Sequence, residues 1–316
     1  MRHPRLPVFL LTLAVVTPGS RLTDLLIAQN PPVCDIRLPN KEQATRFAVA
    51  GDAGTGGKQQ LEVAERMAAC HSVFPFDFVL MPGDNLYGSE GPKDYRRKFE
   101  EPFAPLLQAG VKFYAALGNH DNPDQRFYKG FNMGGERFYA FDKGPIQFIA
   151  LDSTYMSPEQ LEWVEKELKG STKRWKIVFF HHPLYSSGGR HGPDLELRKV
   201  LEPLFVKHGV DVVIAGHEHF YERTKPQKDI VHFISGAAGK LRKGDVEKTG
   251  LTAASFDQDR SFMLIEVEDD TLHFQSISRS GKTVDYGSMK AREAVRGETL
   301  TQDNQTPSRE KRGENP

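Results

Sequence analysis

Short apolar runs that end in a glycine or a polar residue recur through the first two-thirds of the chain. The run 46–50 leads into Gly51-Asp52, 76–82 into Gly83-Asp84, and 112–117 into Gly118-Asn119; 175–180 leads into His181 and 210–215 into Gly216-His217. Runs that are apolar at nearly every position predict strands buried on both faces. Between them, residues 59–69, 157–168 and 194–207 carry helical spacing. The second of these opens with Ser157 at the cap position and Pro158 at the first helical position. Residues 137–141 and 147–151, joined by Asp142-Lys143-Gly144-Pro145, predict a hairpin. After 231–235 the pattern is mostly strand, at 262–267, 272–278 and 283–286. Alternating strands and helices predict an α/β fold with a parallel or mixed sheet and helices outside. No long Pro, Ser or Gly linker divides residues 45–288, so one domain over 45–290, built of two packed sheets with flanking helices, fits better than two. Residues 29–44 form an N-terminal extension, and residues 291–316, polar and aperiodic, read as a disordered tail.

Composition narrows the partners. The 42 Lys+Arg balance 42 Asp+Glu, 38% of residues are hydrophobic, and Gly and Pro number 28 and 20. These are globular values, and a neutral chain lacks the basic excess of a nucleic-acid binder. Two cysteines exclude a disulfide scaffold and any Cys-built metal cluster. The first residues carry Arg2 and Arg5, 6–16 are almost wholly apolar, and 17–20 are small or turn-forming. That is the order of a secretory signal peptide, and its apolar run falls short of the about 20 residues a membrane span needs. Residues 1–28 are therefore expected to be a signal peptide, cut after Gly19 or Ala28, leaving an exported chain with no stable membrane insertion. Export permits a Cys34–Cys70 disulfide, and two thiols fit the sequence equally well.

The strand ends carry the candidate chemistry. Ligands of open α/β sheets bind beyond the carboxyl ends of the strands, where this chain places Asp52, Asp84, Asn119, His181, His217 and His219. A single Gly-Asp after a strand is ordinarily a turn, and two exposed histidines at strand spacing cost nothing. Five such motifs, in order after five apolar runs, point instead to one site. Carboxylate and imidazole donors without thiolate suit Fe, Mn or Zn.

The ordered set Gly51-Asp52-Ala53-Gly54, Gly83-Asp84-Asn85-Leu86-Tyr87, Gly118-Asn119-His120-Asp121, Val178-Phe179-Phe180-His181 and Gly216-His217-Glu218-His219 resembles the calcineurin-like metallophosphatase superfamily. In detail it resembles the purple acid phosphatases of the small single-domain type, over roughly residues 45–290. The resemblance implies a four-layer αββα sandwich of two mixed sheets flanked by helices. It also implies a binuclear centre in which Asp52, Tyr87 and His219 hold Fe(III), Asn119, His181 and His217 hold a divalent ion (Fe, Zn or Mn), and Asp84 bridges the two. Most superfamily members carry a histidine where this chain has Gly54, and Tyr87 resembles the tyrosine that replaces it. A phenolate is a hard anionic donor suited to Fe(III). The V-x-x-H register selects His181 over His182, which is expected to support or pack.

The implied activity is hydrolysis of phosphate monoesters, of acid phosphatase type, by a metal-activated hydroxide. Five positive metal charges less Asp52, Asp84, the Tyr87 phenolate and hydroxide leave a residue of positive charge for a small phosphate-ester dianion. His120 and His191 are the candidates for protonating the leaving alkoxide, and Asp121 is expected to orient His120 or a backbone turn. The step from Asp152 to the helix at Ser157 is short, so the exposed regulatory loop of mammalian-type members looks absent. His219 is followed by Phe220-Tyr221-Glu222-Arg223, closer to the plant-type ending. Two other readings keep the same residues: a phosphodiesterase acting, for example, on cyclic nucleotides, and a non-catalytic protein that binds metal or phosphate.

Overall fold

The structure is a computed structural model that describes residues 34–292. The expected signal peptide and residues 293–316 of the expected tail lie outside the described residues. In chain order the strands are β1 (Thr45–Val49), β2 (Phe78–Pro82), β3 (Lys112–Ala116), β4 (Tyr139–Lys143), β5 (Ile146–Ala150), β6 (Trp175–Phe180) and β7 (Val212–Ala215). There follow β8 (Tyr221–Thr224), β9 (Val231–Ser235), β10 (Thr252–Phe256), β11 (Ser261–Glu268), β12 (Thr271–Ser278) and β13 (Thr283–Lys290). The α-helices are α1 (Lys58–Val73), the short α2 (Pro92–Tyr95) and α3 (Ala104–Gln108), then α4 (Pro158–Gly170) and α5 (Leu195–Lys207).

Two mixed sheets result, ordered β13-β12-β11-β1-β2-β3 and β10-β8-β9-β7-β6-β5-β4. Period-2 alternation explains why near-continuous apolar runs were needed. Phe47 and Val49 of β1 face a core shared with Phe148, Ile177 and Ile214 of the other sheet, while Ala48 faces Val63, Met67 and Phe113 under α1. The second sheet likewise turns Val178, Phe180 and Val213 toward Val164, Leu168, Leu201 and Phe205 of α4 and α5. The order is helix, sheet, sheet, helix. A fully buried Phe such as Phe47 or Phe148 contributes about 2–3 kcal/mol by the area it removes from water.

Local chemistry sets the helix starts. Ser157 accepts from the Gln160 amide, Asp194 accepts from the Leu197 amide, and each satisfies a donor the first turn would leave open. Cys34 and Cys70 form a disulfide that ties the start of the described chain to α1.

Three expectations needed correction. The hairpin forms at β4 and β5, with its turn confined to Gly144-Pro145, because Asp142 and Lys143 pair with Gln147 and Ile146. The last strand runs on to Lys290, pairing with β12 from Thr271 to Ile277. β8 and β10 were not expected. Tyr-Glu-Arg-Thr reads as polar, but Glu222 is fully buried, accepting from the Ser187 amide at 2.9 Å and Thr252 Oγ1 at 2.7 Å. Arg223 pairs with Asp285 at 2.8 Å. Partners remote in sequence make these polar residues strand residues.

Candidate active site

Parallel pairing of β1, β2 and β3, and of β6 and β7, brings five strand ends to one rim. Asp52, Asp84 and His217 adopt the left-handed backbone region, with φ of 54°, 52° and 68°. Each such non-glycine residue costs on the order of 1 kcal/mol or more, a strain that collects at functional sites. The turns are braced: the His217 amide donates to Asp52 Oδ2 at 2.9 Å, and the His120 amide to Asp84 Oδ1 at 3.0 Å. Close approach requires the neighbouring glycines. A Cβ on Gly118 would lie 2.3 Å from the Asp84 amide nitrogen, and one on Gly216 would lie 2.5 Å from Asp52 Oδ2.

The side chains meet as two triangles. In one, Tyr87 Oη is 3.0 Å from Asp52 Oδ1 and 3.2 Å from His219 Nε2, which is itself 3.3 Å from Asp52 Oδ1. In the other, His181 Nε2 and His217 Nδ1 are 2.9 and 3.1 Å from Asn119 Oδ1 and 3.1 Å from each other. Asp84 lies between them: its Oδ1 is 3.4 Å from His181 Nε2, and its charge acts on Tyr87. Donors gathered this closely would suit one cation held in each triangle. His120 and His191 join the same cleft, of ≈ 440 Å³, with Asp84, Tyr87 and Asn119.

The donor chemistry fits cations and little else. Nδ1 of His181 is 3.1 Å from the Pro82 carbonyl, which can only accept, so in the neutral ring Nε2 is a bare lone pair. That lone pair faces the Asn119 oxygen. Protons do not relieve the crowding, because burial holds His181 well below its ordinary range and pushes His217 down to about 2 and His219 to about 3. Burial, then the Asp84 charge, raises Asp52 well above the usual carboxylate range. Burial and the Asp52 and Asp84 charges likewise raise Tyr87, so the phenol would release its proton to solvent only with a strong Lewis acid bound to its oxygen.

The surroundings settle several roles left open by the sequence. Asp121 accepts from the amides of Gly118, Asn85 and Leu86 at 2.8, 3.1 and 3.1 Å, so it braces the turns after β2 and β3 rather than the His120 ring. Its pKa is pushed up to about 7 by burial and then by Asp84. His182 lies beside Ser153 Oγ at 2.9 Å, with its ring 4.5 Å from that of His217. Lys98, buried, donates to the Tyr87 carbonyl at 2.7 Å and so holds the loop that carries the phenol. Lys240, Arg242, Arg190 and Glu218 were missed. Lys240 and Arg242 follow Gly236 at the end of β9, a sixth apolar run that ends in a glycine, which was the available signal.

Carboxylate, phenol and imidazole donors at the rim of an αββα sandwich define a metal-dependent phosphoesterase, a hydrolase. The calcineurin-like phosphoesterase family matches residues 45–221, and the chain belongs to that family. The chain is similar to purple acid phosphatase 17 of Arabidopsis thaliana, 29% identical over 250 residues, covering 67% of this chain and 73% of that protein. Its fold is similar to the purple acid phosphatase PPD1 from yellow lupin (Lupinus luteus) seeds, with a TM-score of 0.67, 20% identity, and coverage of 80% of this chain and 55% of that one. The fold is also similar to GAP50, the anchor in the inner membrane complex of Plasmodium, with a TM-score of 0.71, 19% identity, and coverage of 79% and 90%.

Proposed function

We propose that the chain is an exported acid phosphatase of the purple acid phosphatase type, hydrolysing phosphate monoesters at a binuclear centre. Asp52, Tyr87 and His219 would hold Fe(III), Asn119, His181 and His217 a divalent ion (Fe, Zn or Mn), and Asp84 both. The observation that carries this reading is the pair of donor triangles joined by Asp84. When bound, such a pair supplies a hydroxide nucleophile at acid pH and charge that offsets the phosphoryl oxygens.

The remaining steps belong to the chain's own side chains. Asn119 and His217 line the cleft. His191 Nε2 is 3.4 Å from Arg242 Nη2; because a guanidinium only donates, this nitrogen is an acceptor in the resting structure. Partial burial, then Arg242 and Arg190, holds His191 below its usual range. That environment suits a neutral ring that orients the substrate. The proton for the leaving oxygen is assigned to His120, whose ring lies 5.0 Å from that of Tyr87 and whose amide is fixed to Asp84. Lys240 and Arg242 favour a dianionic monoester over a monoanionic diester. The Cys34–Cys70 disulfide supports an oxidising destination.

The test combines metal content, a visible spectrum and the rates on a monoester and a diester of the same phenol. Two metals per chain, an absorption band from iron and a much slower diester are expected. A diester turned over as fast as the monoester would overturn the monoester assignment.

A further inference from the structure

β5 runs parallel to β6, and the turn after it brings Ser153 beside His181 and His182. That turn is held by its neighbours. Asp152 accepts from the amides of Thr154 and Tyr155 at 3.0 and 3.2 Å and from Arg137 Nε at 2.7 Å, and the Asp152 amide donates to Gln160 Oε1 at 2.7 Å. Ser153 itself is buried. Its Oγ accepts from the His181 amide at 3.2 Å and the His182 amide at 3.0 Å, and lies 2.9 Å from His182 Nδ1.

The bonding capacity of the hydroxyl fixes the direction of that last bond. A serine oxygen has two lone pairs and one hydrogen. The two amides occupy the lone pairs, so the hydrogen is left for His182, and Nδ1 accepts it. A neutral imidazole that accepts at Nδ1 carries its proton on Nε2.

Without this bond His182 is placed to join the divalent triangle. One ring nitrogen from each of His181, His182 and His217 lies within 4.8 Å of the other two. The His182 ring is 4.9 Å from that of His181 and 4.5 Å from that of His217. Whichever nitrogen of His182 faces its neighbours, it has no lone pair to give: Nδ1 is taken by Ser153, and Nε2 is protonated. The triangle therefore offers two imidazoles and the Asn119 oxygen rather than three imidazoles. Donor type decides the ion, because imidazoles suit zinc, copper and nickel, whereas oxygen donors suit manganese and magnesium.

We propose that Ser153 is a metal-selectivity residue. By donating to His182 Nδ1 it keeps a third imidazole out of the divalent site, and so keeps that site open to an oxygen-preferring ion such as Mn(II). The inference rests on the binuclear reading and adds a determinant of which divalent ion is taken. Ser153 acts through His182, so it is a positioning residue.

The test measures Zn(II) and Mn(II) affinities of the iron-loaded protein by chelator competition, for wild type, Ser153→Ala, His182→Leu and the two substitutions together. Loss of the hydroxyl frees a lone pair on His182, directly at Nδ1 or at Nε2 once the ring exchanges tautomers. Ser153→Ala is expected to raise the ratio of zinc to manganese affinity on the order of tenfold, the scale on which outer partners tune a metal site. Adding His182→Leu should return the ratio to its wild-type value. If Ser153 only props the two amides, both affinities fall together and His182→Leu restores nothing, which overturns the proposal. NMR of the imidazole nitrogens in zinc-loaded wild type tests it without any variant: a His182 proton on Nε2 supports it, and one on Nδ1 refutes it. A ratio unmoved by Ser153→Ala in a protein that binds two ions removes the role of Ser153 and leaves the binuclear reading standing. A wild type that binds no second ion rejects both.

Discussion

The amide of Tyr87 donates to the carbonyl of Gly54 at 2.9 Å, and a Cβ placed on Gly54 would lie 1.8 Å from the Asn85 carbonyl oxygen. The two residues are therefore one structural decision. The chain that brings the phenol to Asp52 occupies the volume that any side chain at position 54 would need. A protein with a histidine at this position cannot route its 85–87 segment in this way, so loss of one donor and gain of the other go together.

Gly54→Ala is accordingly expected to destabilise the fold by about 1–3 kcal/mol, the range for forcing atoms into a filled site. It should also displace Tyr87. Chemical denaturation gives the first and the visible spectrum of the iron-loaded protein the second. A Gly54→Ala protein of wild-type stability and colour would show that the 85–87 backbone is free to move.

Tyr87→Phe should keep the fold, since the Lys98 contact is to the Tyr87 backbone carbonyl, and should remove the visible band. A fully active, colourless wild type containing only zinc or manganese would defeat the iron assignment and leave hydrolysis intact. Asp84→Ala should lose activity together with both metals, because its carboxylate lies 3.4 Å from His181 Nε2 and its charge acts on Tyr87; metal analysis of that variant decides between one lost ion and two.

His232 is expected to make stability fall in acid. It is buried in β9, neither ring nitrogen has a hydrogen-bond partner among the described residues, and burial, then Arg198, pushes it down to about 3. The unfolded imidazole protonates near 6.5 and the folded one only near 3. In that window the unfolded state holds the extra proton, so its share of stability is intact above pH 6.5 and is lost at about 1.4 kcal/mol per pH unit on the way down. His232→Leu should flatten the wild-type slope between pH 6.5 and 3 by about that amount. Parallel slopes for the two proteins in urea titrations across this range would refute the assignment.

Reduction of the Cys34–Cys70 bond opens a loop spanning a sequence separation of 36. The chain-entropy cost of that loop is about 4 kcal/mol at 25 °C, so Cys34→Ser with Cys70→Ser should lower the melting temperature measurably. A melting temperature unchanged by the double substitution or by reductant would mean that the 34–44 segment is held by its other contacts, such as the Glu266 carboxylate on the amides of Asn40 and Lys41.

The sequence by itself determined which residues stand at the ends of which strands, because apolar periodicity and glycine are local properties read directly along the chain. It determined the strand-helix alternation of an α/β fold and, through five ordered motifs, the phosphoesterase resemblance. Only the tertiary structure decided that Cys34 and Cys70 pair, that Glu222 is a buried strand residue, and that Asp121 braces backbone rather than a ring. Each depends on a partner tens of residues away, and no local pattern encodes distance between such partners. For the same reason the gathering of Arg190, Lys240 and Arg242 at the cleft is invisible in a charge count that sums to zero. Local propensity selects the elements; the packing of two sheets against each other selects which side chains meet.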